Sequence, residues 1–390
     1  MRLDFVEYCE DEGRPSEWRI DGCQLGNVNL IVGKNASGKS RILKAINFLA
    51  NLLCGDEMLR PEHRSRKWKL IFSNTEKIHY IDYILIVDNG LVVKENFTID
   101  SKTYLERNNS GEGKVWAEKL KTEIDFQTPI HEIAALKRRD SIQHPFFDEI
   151  YNWANSLNYY QFATDLGKGR VAFANSTKIE SKDTEQVIEI FNSGQEDFGE
   201  NFIEAIKSDM ASVGYNISEI GIKIPYDLLV LTEKELIPDY QYLYVQESDL
   251  KDKTEQAIMS QGMFRVLSLI IQVNYSLLAK KPSCILIDDI GEGLDFERSS
   301  AMIKLLISKA EAENGLVQLI MTTNDSFIMN GVSLDYWSVI ERKPGLAKLH
   351  NIHNSQQIFE DFKFIGLNNF DFFETQFYLK GFGDEENIEE

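Results

Sequence analysis

The amino-acid sequence predicts an α/β fold, and three observations support this prediction. Apolar runs that predict buried strands, such as Val28–Val32, Cys284–Asp289 and Leu316–Met321, occur near both ends of the chain beside segments with helical periodicity. A short loop bounded by glycines, Gly33–Ser40, separates the first of these strands from a helix. From Trp68 to Arg107, apolar and polar residues alternate as they do in antiparallel strands.

Composition and charge limit the classes of function. A chain of 390 residues is long enough for two or three lobes, and 43% hydrophobic with 27% charged residues is an ordinary globular composition. The formal net charge of −20 argues against a broadly basic surface that coats nucleic acid, although Lys137-Arg138-Arg139 could form a local basic patch. The cysteines have no paired C-x-x-C spacing, which predicts free thiols in a reducing compartment: Cys9, Cys23, Cys54 and Cys284.

Nothing in the sequence predicts a membrane protein. The N-terminal residues MRLDFVEYCEDEGR lack the pattern of a signal peptide, and no apolar run approaches the roughly 18 residues that span a bilayer. We therefore expect a cytoplasmic protein without a membrane partner.

The loop after the first strand predicts a phosphate site. Its sequence, GKNASGKS, fits G-x-x-x-x-G-K-[ST], and the flanking strand and helix are the context in which that pattern binds phosphate. Glycines let the backbone wrap an anion, and the helix that follows points its positive end at the same charge. We expect Lys39 to reach the β- and γ-phosphates and Ser40 to give its hydroxyl to Mg²⁺. The candidate nucleotide-binding residues are Gly33, Lys34, Asn35, Ala36, Ser37, Gly38, Lys39, Ser40 and Arg41.

In the middle of the chain, the sequence pattern predicts helices, strands and loops but no catalytic motif. Asn89-Gly90 predicts a tight hairpin turn within the meander. From Ile130 to Phe162 the pattern is helical, with Leu157 and Tyr160 on the same face as earlier apolar residues. A polar loop, Gly167–Asp183, precedes two further helices, and Ile220–Leu231 predicts a strand. Because no heptads are sustained, we expect a compact insert rather than a long coiled coil.

Two carboxylates end the strand near the C-terminal part of the chain. Asp288 stands at the end of Ile285-Leu286-Ile287, where it can hold Mg²⁺ through water or through Ser40. The adjacent Asp289 is placed to polarise an attacking water. Alone, such a carboxylate could simply cap a strand–loop turn, but the phosphate loop upstream favours the functional interpretation.

Ser260 to Arg265, SQGMFR, begins a helix about 25 residues before that strand. A small hydroxyl residue and a glycine at a helix N-terminus can form an anion site. The alternative is a plain N-cap at Ser260 in front of an amphipathic helix.

Four motifs in this order carry a family resemblance: GKNASGKS, SQGMFR, ILIDDIGEGLD and MTTND. The set resembles the ABC-type ATPase heads of the SMC/RecF/OLD group, in particular the compact AAA-like ATPases of bacterial anti-phage defence systems. This resemblance implies a P-loop NTPase fold with an ABC-type head, an antiparallel β subdomain and a compact helical insert. It also implies ATP and Mg²⁺ as ligands. Residues 55–250 match the family only loosely.

In these families the signature helix completes the ATP site of a second subunit, so the resemblance implies a homodimer or higher oligomer. Ser260 and Gly262 would contact the γ-phosphate held by the other subunit, and Asp295, in Gly293-Leu294-Asp295, matches the D-loop that crosses the dimer seam. Asn324 lies where such heads carry a γ-phosphate-sensing switch residue. The family also uses a glutamine that senses Mg²⁺, and Gln143 is the candidate.

Two departures from the family pattern predict slow chemistry. Asp289 replaces the usual catalytic glutamate with a side chain one methylene shorter, and Asn324 replaces the usual switch histidine with a group that cannot carry a proton. We therefore expect slow hydrolysis and a long-lived ATP-bound dimer that acts as a switch or scaffold for a separate effector, a nuclease or a toxin. Glu292 is a rival candidate for the catalytic base.

We expect four parts in the chain. Residues 1–130 form an N-terminal lobe with the phosphate loop and the meander, and residues 131–250 form a mostly helical insert. Residues 251–350 form a C-terminal ABC lobe with the signature, the Asp288 strand, the D-loop and the switch. Residues 351–390 form an aromatic segment with an acidic tail. The aromatic residues between Phe359 and Phe382 are expected to pack as core, with an effector-docking role as the alternative.

Other functions remain open at this point. A RecF- or SMC-like ATPase of DNA repair or DNA binding is the main alternative, although the acidic charge disfavours it. A GTPase would need an N-K-x-D motif, which the sequence lacks, and a kinase would need neither a signature helix nor a D-loop. An OLD-type nuclease would need a further metal-binding domain, for which the roughly 50 residues after Trp337 are too few.

Overall fold

The computed structural model describes residues 1–74, 77–164, 166, 168–169, 172–173, 186–223, 240–312 and 316–382. The chain divides into two compact units, one formed by Met1–Leu157 with Ile320–Glu390 and the other by Asn158–Leu319. The four parts predicted from the sequence follow motifs rather than packing, so their boundaries stay a prediction. No helix in the described residues combines the length and the apolar character that crossing a membrane requires.

The strands are, in chain order, β1 (Arg2–Glu10), β2 (Trp18–Gln24), β3 (Val28–Val32), β4 (Arg66–Asn74), β5 (His79–Asp88), β6 (Leu91–Ile99), β7 (Lys102–Arg107), β8 (Glu112–Ala117), β9 (Thr122–Gln127), β10 (Leu157–Gln161), β11 (Ala172–Phe173), β12 (Ile217–Lys223), β13 (Tyr240–Glu247), β14 (Thr254–Glu255), β15 (Ser283–Asp288), β16 (Val317–Thr323), β17 (Trp337–Lys343) and β18 (Leu346–Asn351).

The helices are α1 (Lys39–Cys54), α2 (Ala134–Lys137), α3 (Phe147–Asn155), α4 (Val187–Phe198), α5 (Glu200–Ser212), α6 (Gln261–Leu278), α7 (Phe296–Ala312), α8 (Ser326–Gly331), α9 (Gln356–Ile365), α10 (Asn369–Glu374) and α11 (Phe377–Lys380).

The first unit is organised by a sheet in which β3 lies beside β17, followed in order by β18, β2, β1 and then β4 to β9. β3 and β17 are parallel, whereas the strands from β1 through β4 to β9 are antiparallel. The predicted meander is therefore confirmed, and it extends beyond Arg107 through the hairpin β8–β9. Asn89 and Gly90 both have positive φ, at 48° and 75°, which is the backbone of the tight hairpin turn that the sequence predicted.

Helix α1 is held against this sheet by one apolar face. Ile42, Leu43, Ile46 and Leu49 recur at helical spacing and are buried. Each such side chain contributes about 1.5–3 kcal/mol when it leaves water. The indole Nε1 of Trp68 on β4 donates to the carbonyl of Ala45 at 3.0 Å, and α3 packs along α1. These contacts fix the N-terminus of α1, where the phosphate loop lies.

The second unit contains β15, whose residues are all buried, with β10 beside it in the sheet. Helix α6 packs against α4 and α5, and β12 pairs with β13 in an antiparallel arrangement. A buried polar group joins three of the helices: the Asp209 carboxylate accepts from Asn274 Nδ2 at 2.6 Å and lies 2.8 Å from Lys309 Nζ. This group links α5, α6 and α7.

One predicted helix is wrong at its end. The apolar pattern predicts a helix that continues through Leu157 and Tyr160. In the structure, α3 ends at Asn155 and residues Leu157–Gln161 form β10. Apolar residues three apart fit a helix face, yet the Tyr159-Tyr160 pair favours a strand, and pairing beside β15 decides the conformation. Most of the predicted loop Gly167–Asp183, the later part of Ile220–Leu231 and the acidic tail lie outside the described residues.

Candidate functional site

The phosphate loop connects β3 to α1 and has the backbone of an anion-binding turn. Ala36 and Gly38 have φ of 59° and 112°, both in the left-handed region, while the N–H of Ser37 donates to the carbonyl of Lys34 at 3.2 Å. Left-handed residues among right-handed ones turn successive N–H groups toward one concave face. The loop therefore has the geometry that the motif predicted.

Gly33 begins the loop at a point where no side chain fits. A Cβ added there would lie 2.2 Å from Cγ2 of Ile340 on β17 and 2.8 Å from Oγ of Ser37. The loop is therefore packed directly onto the neighbouring strand, and glycine is required by close approach rather than by its φ.

Lys39 and Ser37 supply polar groups suited to a phosphate. The Lys39 side chain is buried, and its Nζ donates to the carbonyls of Gly33 at 2.7 Å and Lys34 at 3.2 Å. This holds the ammonium group across the loop. The Oγ of Ser37 is buried and has no hydrogen-bond partner among the described residues. A phosphate oxygen could accept hydrogen bonds from the Ser37 hydroxyl, which has no partner among the described residues, and from the Lys39 ammonium, which the two loop carbonyls hold in place.

Arg41 follows the phosphate loop in sequence, and its side chain lines a cleft. Its guanidinium lies 4.5 Å from the centre of the Trp18 ring, and its Nη2 is 2.6 Å from the Glu10 carboxylate. The Trp18 ring also lies against the loop, since a Cβ on Gly38 would be 3.0 Å from it. The cleft has a volume of about 400 Å³ and is lined by Tyr8, Glu10, Arg41, Lys44, Ala45, Phe48, Arg64 and Arg66.

Trp18, at the start of β2, packs against the loop at Gly38 and is only 5% exposed, with the Arg41 guanidinium over its ring. This tryptophan is therefore a core residue that supports the loop.

Asn324 lies beside the phosphate loop, and its role as a γ-phosphate switch stays a prediction. It follows β16, and its Nδ2 donates to Oδ1 of Asn35 at 2.7 Å. The next residue, Asp325, caps α8 by accepting from the N–H groups of Phe327 and Ile328 at 2.6 and 3.2 Å. The amide of Asn324 is therefore anchored between a loop residue and a helix N-terminus.

The second unit carries the paired carboxylates. Asp288 ends β15 and is only 8% exposed; its Oδ2 accepts from the Tyr159 hydroxyl at 3.3 Å, and its carbonyl accepts from the Phe162 N–H at 3.1 Å. Asp289 is half-buried and has φ of 55°, a left-handed conformation uncommon outside glycine. Such backbone strain concentrates at functional sites, where the surrounding structure enforces it.

Glu292, the rival base, lies on a turn and is exposed. Its N–H donates to the carbonyl of Asp289 at 3.1 Å, and its own carbonyl accepts from Nη1 of Arg265 at 2.7 Å. The backbone of Glu292 is therefore fixed while its carboxylate faces solvent, in contrast to the half-buried Asp289.

The signature helix begins at an exposed serine and packs closely on the D-loop of the same chain. Ser260 is the N-cap of α6 and accepts from the Met263 N–H at 3.2 Å. A Cβ on Gly262 would lie 2.6 Å from the carbonyl of Gly293, so only glycine permits this contact. The predicted N-cap alternative is thus observed, and contact with a γ-phosphate stays a prediction.

Asp295 also caps a helix. Its Oδ1 accepts from the Arg298 N–H at 2.9 Å and its Oδ2 lies 2.6 Å from the Arg298 guanidinium. The hydrogen bond from the Arg298 backbone, together with its side chain, lowers the pKa of Asp295. The carboxylate is exposed and ionised, as a residue at a subunit seam would need to be.

Gln143 is not brought to the phosphate loop. It lies in a turn held against the β8–β9 hairpin, where its carbonyl accepts from the Glu118 N–H at 2.8 Å. In the sheet order β8 is separated from β3 by β17, β18, β2, β1 and β4 to β7. The sequence offered Gln143 because the surrounding segment was assigned to a helix.

A better candidate for the metal-sensing glutamine is Gln161, which sequence reasoning missed. It ends β10 beside β15, and it lies on the same face of the strand as Tyr159, whose hydroxyl contacts Asp288. The residue after it, Phe162, hydrogen-bonds the Asp288 backbone. The sequence does not reveal Gln161 because the apolar spacing of this strand also fits the end of a helix.

The basic triplet at Lys137–Arg139 is engaged within the first unit. Lys137 lies 3.1 Å from Glu132, and Arg138 donates to Thr128 Oγ1 at 3.3 Å. Arg139 lies 3.8 Å from Asp148 and 3.5 Å from the centre of the Tyr151 ring. Each of these cations has a local partner, while Lys137 and Arg139 remain exposed, and a basic patch for nucleic acid stays a prediction.

Residues 28–330, which contain the phosphate loop and the paired carboxylates, match the family model described as "AAA domain, putative AbiEii toxin, Type IV TA system". The match spans more than half of the chain. The chain belongs to this AAA family. The predicted ABC-type ATPase head of the SMC/RecF/OLD-like group is thereby confirmed, and the family implies that the protein binds nucleotide, usually with Mg²⁺.

Solved structures agree on the fold of this AAA protein. An Smc head bound to the C-terminal winged-helix domain of ScpA has a TM-score of 0.50 and 15% identity, covering 90% of this chain and 97% of that one. The Smc head of Thermotoga maritima has a TM-score of 0.46 and 13% identity, covering 90% and 99%. The Pyrococcus furiosus Smc head bound to the C-terminal domain of ScpA has a TM-score of 0.47 and 12% identity, covering 93% and 99%. No curated protein matches the sequence.

Proposed function

We propose that this AAA protein binds ATP with Mg²⁺, hydrolyses it slowly, and forms an ATP-bound homodimer that acts as a switch for a separate effector. The observation that carries the proposal is the phosphate loop, in which the Lys39 ammonium is held at the Gly33 carbonyl and the buried hydroxyl of Ser37 has no partner among the described residues. A phosphate oxygen could accept from the Ser37 hydroxyl and be stabilised by the charge of Lys39.

The residues of each unit have their own proposed roles. In the first unit, Lys39 and the loop N–H groups are proposed to bind the β- and γ-phosphates, with the Ser40 hydroxyl as a ligand for Mg²⁺. In the second unit, Asp288 is proposed as an Mg²⁺ ligand. When bound, Mg²⁺ neutralises charge that develops on the phosphate oxygens. Asp289 orients the attacking water and accepts its proton, and Gln161 replaces Gln143 as the candidate that senses the ion.

Slow hydrolysis follows from two side chains. The Asp289 carboxylate is one methylene shorter than the glutamate usual in the family, and a small displacement from the reacting water is costly in rate. The Asn324 amide can hydrogen-bond a phosphate but cannot transfer a proton, and in this structure it is held by Asn35. Both features favour a persistent ATP-bound state.

Completion of the site by a second copy is supported by the exposed N-terminus of α6. Ser260 is accessible at its start, and Arg265 together with Gly262 fixes the helix to the D-loop that contains Asp295. A rigid helix end of this kind can present N–H groups to a phosphate held elsewhere. The homodimer is therefore proposed to place Ser260 and Gly262 of one copy at the loop of the other.

We further propose that the C-terminal helices carry a surface that binds the effector. A role in anti-phage defence is proposed from this surface and from the family resemblance. Phe359, Phe362 and Phe372 are buried in a ring cluster, which confirms a core role for part of the aromatic segment. Phe364 and Phe382 are 89% and 69% exposed, as partner-binding aromatic residues are before they are covered.

A mass measurement with and without ATP tests the proposal. The wild type is expected to shift to twice its mass with ATP, whereas Lys39→Ala and Ser260→Arg are expected to remain single copies. Ser218→Arg, at another exposed serine of the second unit, is the matched control and should assemble like the wild type. The proposed function fails if ATP causes no assembly and Ser260→Arg leaves hydrolysis intact.

A further inference from the structure

Tyr159 lies next to the paired carboxylates. It stands at the centre of β10, and its hydroxyl donates to Oδ2 of Asp288 at 3.3 Å. The same strand reaches Asp288 a second time, because the Phe162 N–H donates to the Asp288 carbonyl at 3.1 Å. The last residue of β15 is therefore held through both its side chain and its backbone.

We propose that Tyr159 is a positioning residue that orients the Asp288 carboxylate for the metal ion. The hydrogen bond to Oδ2 restricts rotation of the carboxylate about its Cβ–Cγ bond, so that Oδ1 keeps a constant direction. Hydrogen bonds from outer-shell residues commonly orient metal ligands in this way, and their loss typically weakens metal binding by about 10- to 100-fold. This inference rests on the proposed metal role of Asp288.

The adjacent tyrosine provides a matched control. Tyr160 lies on the opposite face of β10 and is almost fully buried, at 1% exposure. Tyr159→Phe and Tyr160→Phe each remove one hydroxyl from neighbouring positions of one strand. A general weakening of β10 should affect both variants, whereas loss of carboxylate orientation should affect only Tyr159→Phe.

The test is an Mg²⁺ titration of ATP hydrolysis at saturating ATP. In Tyr159→Phe, the Mg²⁺ concentration for half-maximal rate is expected to rise by about tenfold. ATP affinity measured in EDTA should stay at the wild-type value, because the phosphate loop is unchanged. Tyr160→Phe should titrate within about twofold of the wild type. Binding of Mn²⁺ to the protein–ATP complex, followed by electron paramagnetic resonance, repeats the comparison without turnover.

The outcomes separate this inference from the proposed function. An unchanged Mg²⁺ midpoint and unchanged Mn²⁺ affinity in Tyr159→Phe would overturn the role of Tyr159 while leaving the ATPase assignment standing. Equal shifts in both variants would show a structural effect of β10 and would also overturn it. A wild type whose ATP hydrolysis does not respond to Mg²⁺ would remove the metal role of Asp288 and the inference together.

Discussion

Asp289 combines a carboxylate with a left-handed backbone, and this combination limits which substitutions are informative. Aspartate and asparagine enter the left-handed region more readily than other non-glycine residues, so Asp289→Asn removes the charge at little conformational cost. Asp289→Ala would remove the charge and add strain at once. Glu292 has no such constraint, because it is exposed and follows on a turn.

We expect Asp289→Asn to reduce phosphate release by about 10²- to 10⁴-fold, the usual contribution of a general base, with ATP affinity unchanged. Glu292→Gln should hydrolyse ATP at nearly the wild-type rate, because its carboxylate faces solvent. Phosphate release under saturating ATP measures both variants. Loss of activity in Glu292→Gln alone would assign the base to Glu292 instead.

At the scale of the element, the phosphate loop depends on β17 as well as on β3 and α1. A Cβ on Gly33 would lie 2.2 Å from the Cγ2 methyl group of Ile340 and 2.8 Å from the Ser37 Oγ. The nearer obstacle is the branch at Cβ of Ile340, and the second is a hydroxyl that can rotate. This dependence allows a pair of variants that separates crowding from other effects.

Gly33→Ala is expected to displace the loop, lowering ATP affinity by at least about tenfold and destabilising the fold by about 1–3 kcal/mol. Ile340→Leu conserves volume but removes the Cγ2 branch, so alone it should cost less than about 1.5 kcal/mol. The double variant should regain much of the lost ATP affinity. Calorimetric titration and thermal unfolding report these quantities. A double variant no better than Gly33→Ala would show that Ile340 is not the obstacle.

The sequence predicted elements well where a local pattern matched the final environment. Strand β3 agrees with the prediction, and α1 and β15 were recognised because apolar periodicity and motif coincide there. Strand β10 was missed because its apolar spacing fits a helix and its partner β15 is distant in sequence. Nothing in the sequence indicates a role for Gln161 or Tyr159, because that role depends on the contact of β10 with β15.

At the scale of the whole molecule, the rate of hydrolysis sets how long an ATP-bound assembly lasts. The phosphate loop belongs to the first unit, and Asp288, Asp289 and the signature helix belong to the second. Each copy therefore contributes both parts that the proposed assembly needs. In the proposed assembly, the shorter carboxylate at Asp289 is expected to prolong the ATP-bound state without altering the surfaces that form it.

Asp289→Glu adds backbone strain at this left-handed position, so its thermal unfolding is compared with that of the wild type first. In the folded variant, ATP turnover is expected to increase and the lifetime of the proposed ATP-bound dimer to shorten by the same factor, because hydrolysis would then limit dissociation less. Stopped-flow light scattering after removal of free ATP measures the lifetime, and phosphate release measures turnover. Asp289→Asn serves as the opposite control and should give a dimer that outlasts the wild type. Faster turnover with an unchanged lifetime would separate disassembly from hydrolysis.

The hydrogen bond between Asn35 and Asn324 joins two amides, neither of which gains or loses a proton between acidic and neutral conditions. A histidine at the second position would change charge near pH 6.5, and the contact would then respond to acidification. With asparagine, the contact keeps the same strength across that range. The contact between the loop and Asn324 is therefore expected to be independent of pH across this range.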